Sequence, residues 1–228
     1  MTSAEAPGWY GKLSALGDFA SRRLPPDWVA ACDQWLAECV AASRQQLGAA
    51  WLEVYLSAPV WRFAWGPGVA DQNWWFGVLM PSCDKVGRYF PLVVAQPRAQ
   101  PPADRAGLDH LEAWWSHLAQ AAMATLAESA SVDAFEGELQ QAPAWPAATG
   151  LSPGVPVLGE GGRLRQDLPA GVSLNELARA LAAGDLQQRL NRVSFWWPLS
   201  AEGGSAGYTL TAGLPQPEAF AEMLRGRW

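Results

Sequence analysis

The chain has 228 residues, half of them apolar, which is enough for a substantial buried core. Its formal charge of −6 and pI near 4.9 give no positive field for a phosphate backbone, and no run of Lys or Arg compensates locally, so no nucleic-acid partner is expected. The longest apolar runs, such as Trp74 to Pro81, fall well short of the roughly 20 residues a membrane helix needs, so no membrane insertion is expected.

The opening MTSAEAPGWYGKL has no basic segment followed by an apolar one, so no secretory signal is read and a cytoplasmic location is expected. Three cysteines, Cys32, Cys39 and Cys83, then read as reduced thiols, because an odd number without an export signal argues against a disulfide framework. The fourteen tryptophans include the pairs Trp74-Trp75, Trp114-Trp115 and Trp196-Trp197. Large core residues are the favoured reading, with a protein-binding surface as the alternative. Adjacent residues on a strand point to opposite faces, so one Trp of a strand pair must meet a second packed layer or a partner.

In chain order, Gly8 to Phe19 reads as a strand running into a loop shaped by Gly11 and Gly17. Pro25-Pro26 then separates two elements. From Asp27 to Leu47 the apolar residues, with Cys32 and Cys39 among them, follow the helical period, and Gly48 supplies a stop. The short apolar runs Trp51 to Leu56, Val60 to Trp65, Trp74 to Met80 and Tyr89 to Ala95 read as sequential antiparallel strands, at least the last three of them a meander. A second long helix is predicted from about Ala106 to Ser129. Residues 140–172 hold five of the eighteen prolines and six of the twenty-two glycines and read as a loop-rich connection. Ser173 and Glu176 have capping-box spacing at the head of another helix, which Gly184 would close. Strands near Val193 to Trp197 and Tyr208 to Thr211 follow, and a last helix after Pro217.

Grouped strands with helices around them predict an α+β fold: a central, largely antiparallel sheet flanked by helices on both faces, in three α-β-α layers. The expected organisation is one domain over 1–228, with the connection at about 140–172 and a C-terminal α/β segment at about 173–228.

The usual chemical motifs fail one by one. Gly203-Gly204-Ser205-Ala206-Gly207 matches G-x-S-x-G, but that elbow needs a helix after the Ser and a later His. Here YTLT follows, and His110 and His117 come earlier, so a Gly-rich hairpin loop is the better account. The two histidines are seven residues apart on one predicted helix, roughly 10 Å along the axis, too far to share a metal. Cys32 and Cys39 fail the same test. LGEGGRLRQ lacks the spacing and the Lys of a phosphate loop, and no Asp is followed by Gly as in metal-dependent Ser/Thr phosphatases. No metal, no cofactor and no catalytic residue are expected, and a hydrolase using Ser205 or Ser82 is the remote alternative.

Two polar connections remain, GKLSALGDF at 11–19 and PSCDKVGR at 81–88. Lys12, Asp18, Asp84, Lys85 and Arg88 are placed to pair among themselves, since an Arg-carboxylate bond is a common way to pin a loop. The same residues, with Phe19 and Ser82, equally fit a recognition edge for another protein, because loops on a rigid sheet are favoured binding positions. The residues alone leave both readings open.

At these positions the chain resembles the TagF family, also called ImpM, of type VI secretion-associated proteins. The resemblance rests on GWYGKLSALGDFASRRLP at 8–25, on DQWL, on WLEVYLSAPVWRFAWGPG and on GVLMPSCDKVGRYFPL, in order and with similar spacing; SFWW and GLPQPEAFAEML extend it more weakly toward the C-terminus. Matching positions are Gly11, Lys12, Gly17, Asp18 and Phe19 in the first loop, and Pro81, Ser82, Asp84, Gly87, Arg88, Tyr89, Phe90 and Pro91 in the second. Cys83 stands where a small aliphatic residue is usual, and Lys85 replaces the more frequent Arg. The resemblance implies a post-translational negative regulator of a type VI secretion system that binds and sequesters a component such as the forkhead-associated scaffold protein. A structural accessory subunit of the apparatus is the alternative.

Overall fold

The computed structural model describes residues 6–102, 104–145, 161–163, 165, 167–199 and 207–228. The elements are β1 (Gly8–Gly11), β2 (Ala20–Arg22), α1 (Pro26–Leu47), α2 (Trp51–Leu56), β3 (Trp61–Trp65), β4 (Trp74–Met80), β5 (Leu92–Arg98), α3 (Arg105–Ala124), α4 (Val132–Gln140), α5 (Leu174–Arg189), β6 (Val193–Pro198), β7 (Thr209–Ala212) and α6 (Phe220–Leu224). Among the described residues seven strands form one sheet in the order β2-β1-β5-β4-β3-β6-β7, and all six strand pairings are antiparallel. β3, β4 and β5 are the expected meander.

Side-chain alternation on this sheet builds two cores. Tyr10, Trp61, Phe63, Trp65, Trp75, Leu79, Val93 and Trp196 face the layer of α1, α2 and α6. Trp9, Ala64, Trp74, Phe76, Val78, Leu92 and Val94 face α3 and α4. The fold is therefore the predicted α+β arrangement in three layers. It also accounts for the Trp pairs: Trp74 and Trp75 point to opposite cores and are both buried, while Trp196 is enclosed on one face and Trp197 packs edge-on to Trp115 on the other, with ring centroids 4.4 Å apart.

Several indole donors are spent internally as well. Trp35 donates to the Pro215 carbonyl at 2.8 Å, Trp61 to the Met223 carbonyl at 3.1 Å, and Trp51 to the Ser43 hydroxyl at 2.9 Å. Two of these bonds tie the C-terminal elements, more than 160 residues away in sequence, onto α1 and β3. Cys32 and Cys39 lie buried on the inner stripe of α1, where burial pushes both thiols far above the ordinary range.

Several local expectations need correction. Trp51 to Leu56 is a helix and not a strand: only Trp51 and Tyr55 are buried, one turn apart and stacked at 4.7 Å, while Leu52 and Leu56 face out. The second long helix stops at Ala124, where Thr125 turns its hydroxyl back onto the Ala122 carbonyl. A separate helix, α4, then starts with Ser131 capping the Ala134 N–H. The capping box of Ser173 and Glu176 is present, but Gly184 is interior to α5, which runs on to Arg189. The three-residue strand β2 has no sequence signal of its own. About half of the stretch 140–172 read as loop-rich, and all but Gly207 of the Gly-rich turn at 203–207, lie outside the described residues.

Candidate functional site

The two polar loops meet at one end of the sheet because β1 pairs with β5, with Gly11 opposite Leu92. The first loop leaves β1 after Gly11 and returns as β2; the second leaves β4 after Met80 and returns as β5. Gly11 adopts φ 135°, and a Cβ there would sit 2.1 Å from the Pro91 carbonyl oxygen, so only glycine lets the loops approach this closely. The second loop is a hairpin extension: Cys83 bridges Tyr89, Phe90 N–H donates to Ser82 O, and Gly87 N–H closes a turn on Asp84 O at 3.0 Å.

Asp84 is the hub. Its side chain is fully enclosed. Oδ1 accepts from the N–H groups of Val86 (3.1 Å) and Arg88 (2.9 Å), while Oδ2 accepts from Lys12 Nζ (2.5 Å) and Arg88 Nε (2.6 Å). Burial alone would raise the Asp84 pKa; the hydrogen bonds from Lys12, Arg88 and Val86 outweigh it and hold the carboxyl well below the usual carboxylate range. A buried charge persists only when paired and hydrogen-bonded, and here both carboxylate oxygens are saturated.

The clamp extends to both loops. Arg88 Nη2 donates to the Gly17 carbonyl, and Lys85 N–H donates to the Leu16 carbonyl at 2.8 Å. Ser82 Oγ donates to the Lys12 carbonyl at 2.8 Å, which joins the loops a third time. Beneath them, the Tyr55 hydroxyl of α2 accepts from Ser82 N–H and donates to Ser82 O, both at 3.0 Å. Phe19 caps the junction: its ring lies 4.8 Å from that of Phe90, and Lys12 Nζ is 4.6 Å from its centroid.

Five of the seven predicted residues thus come together: Lys12, Phe19, Ser82, Asp84 and Arg88. Asp18 and Lys85 take no part in the ion-pair cluster among the described residues; Asp18 caps its neighbour's N–H at 2.8 Å and Lys85 projects from the hairpin. Tyr55 and the backbone carbonyls of Leu16 and Gly17 were missed as parts of the site, and Phe90 was named only as a motif position. No local signal marks Tyr55, because its partner lies 27 positions away and its own segment reads as a strand.

A second carboxylate ties α4 to the same edge strands. Glu136 accepts from Trp9 Nε1 (2.5 Å) and Arg23 (2.6 Å), with Arg22 at 3.7 Å. Burial opposes its ionisation, but Arg23, Trp9 and Arg22 together hold its pKa below the ordinary value. On the α3 side, an apolar cavity of about 780 Å³ lies among Trp74, Phe76, Trp115, Leu186, Phe195 and Tyr208. Among the described residues no cluster of His, Cys, Asp and Glu is arranged to hold a metal, and no helix is long and apolar enough to cross a membrane.

The profile of the TagF N-terminal domain, type VI secretion system-associated, matches residues 8–142, which include both loops and every residue of the clamp. The chain belongs to the TagF family. The crystal structure of PA0076 from Pseudomonas aeruginosa PAO1 is similar to it throughout, with 37% identity, a TM-score of 0.74, and coverage of 97% of this chain and 94% of that one. No curated protein matches. This TagF-family chain is therefore a type VI secretion-associated protein, and its family motifs coincide with the Asp84 clamp.

Proposed function

We propose that the chain is a post-translational negative regulator of a type VI secretion system, and that it acts stoichiometrically by binding a component such as the forkhead-associated scaffold protein. The observation that carries this reading is the use to which the family motifs are put. The Lys12, Ser82, Asp84 and Arg88 side chains hold two loops together as one edge, the kind of scaffolded surface proteins use for recognition. A binding role without catalysis accords with Ser82, whose hydroxyl donates to a backbone carbonyl, and with Asp84, whose oxygens are occupied by four donors.

Deletion and overproduction in the parent bacterium test the proposal, with secretion and transcript levels read together and the tagged chain used to capture partners. The expected result is higher secretion on deletion, lower on overproduction, unchanged transcripts, and the forkhead-associated scaffold in the captured fraction. Capture of sheath or baseplate components instead, with secretion abolished by deletion, would make the chain a structural subunit and overturn the regulator reading.

A further inference from the structure

We infer that the contact surface for the protein partner is formed by the exposed Phe19 and Val86 together with Lys85, while the buried Lys12 and Asp84 are positioning residues that hold the two loops; this rests on the partner-binding reading above. The clamp spends its charges internally. Asp84 and Lys12 are buried, and Arg88 reaches across to the Gly17 carbonyl. Beside the exposed Asp18, Lys85 and Arg88, the same loops present two large apolar side chains to solvent: Phe19 is 44% exposed and Val86, at the hairpin tip, 70% exposed.

Large apolar side chains on a preordered loop lose little conformational freedom on binding, and aromatic anchors are the usual centres of interface energy. Phe19 is preordered by Phe90, by Tyr10 and by the Lys12 ammonium at 4.6 Å. Val86 is preordered through its N–H, which donates to Asp84 Oδ1. Both side chains thus depend on the same carboxylate. Substitution of the buried charges is therefore expected to disturb recognition without their touching the partner.

The charge of the edge specifies the partner's chemistry. In a chain of formal charge −6, the two loops carry Lys12, Lys85 and Arg88 against Asp18 and Asp84. Lys12 and Arg88 are both paired to the one carboxylate of Asp84, which leaves an excess positive charge at the half-exposed Arg88, and the exposed Lys85 and Asp18 have no ion pair among the described residues. The complement is a folded protein surface with an apolar recess for Phe19 and Val86, bordered by carboxylates that meet Lys85.

The test is a binding titration of the purified full chain with the purified forkhead-associated scaffold protein of the same secretion system. Val86→Asp and Phe19→Ala are each expected to weaken binding by about tenfold or more. Lys85→Glu should slow association and reduce its salt dependence. Leu174→Ala, at an 80% exposed position on α5, should stay within about twofold of the parent. Val86→Asp should melt within about 2 °C of the parent, since an exposed tip residue contributes little to stability. If the parent binds and both Val86→Asp and Lys85→Glu bind within about twofold of it, this surface is the wrong one and the regulator reading stands. If the parent does not bind the scaffold at all, the partner reading fails and the surface assignment falls with it.

Discussion

Replacing Tyr55 by Phe isolates one atom of the account. The ring keeps its stack on Trp51 at 4.7 Å and its edge contact with Tyr89 at 5.9 Å, so packing beneath the loops is retained. What is lost is the hydroxyl that accepts from Ser82 N–H and donates to Ser82 O. The carbonyl keeps a donor, since Phe90 N–H also reaches it at 3.1 Å, but the buried Ser82 N–H is left without an acceptor. Orphaning one buried donor costs about 1–3 kcal/mol. For a chain of 228 residues each kcal/mol moves the melting temperature by about 2–4 °C, which predicts a drop of roughly 2–12 °C. Differential scanning fluorimetry reads this directly, with Tyr89→Phe as the control, because the Tyr89 hydroxyl makes no hydrogen bond among the described residues. A Tyr55→Phe protein that melts with the control would show that the loop is not supported from α2.

Gly11→Ala should fail to accumulate as folded protein, because its Cβ meets the Pro91 carbonyl at 2.1 Å, whereas Gly17→Ala should melt like the parent, since a Cβ there meets nothing within 4 Å. Equal melting of the two would refute the close-approach argument. Acid should destabilise the chain through Asp84 and Glu136. Their folded pKa values lie below the unfolded ones, so their contribution is complete above about pH 5 and is lost as pH falls through the carboxylate range toward the folded values. Glu136→Gln should therefore flatten the melting profile between pH 6 and 3, at roughly the pH range where a free carboxylate titrates; parallel profiles would contradict the assignment. Of the free cysteines Cys32, Cys39 and Cys83, only the half-buried Cys83 should react with a thiol reagent in the native chain, and all of them after unfolding. Rapid native labelling of Cys32 or Cys39 would mean that α1 does not pack as described.

Long-period patterns were legible in the sequence and short or paired ones were not. The apolar stripe of α1 spans six turns and ends in glycine, and Pro26 occupies its first turn, so local and tertiary preferences agree. The meander showed because β3, β4 and β5 are buried runs separated by turn residues. α2 was misread because its six residues carry apolar side chains on both sides, and only the sheet above selects Trp51 and Tyr55 as the inner pair. α4 had a signal in Ser131, with Phe135 and Leu139 one turn apart, but it was hidden by the helix-like residues before it. In the site, sequence identified five groups able to pair, and only the β1–β5 register decides that Asp84 takes Lys12 and Arg88 while Asp18 and Lys85 stay outside. The exposure of Phe19 and Val86 is likewise a property of the clamped loops and not of their residue types.

Site-specific photocrosslinking in cells expressing the secretion genes tests the central claim most directly. A photoreactive amino acid replaces Val86 in one protein and Leu174 in another, and adducts are identified by mass spectrometry. An adduct to the forkhead-associated scaffold is expected from position 86 and none from position 174. An adduct from 174 alone, or none from 86 while the tagged chain still captures the scaffold, would contradict it.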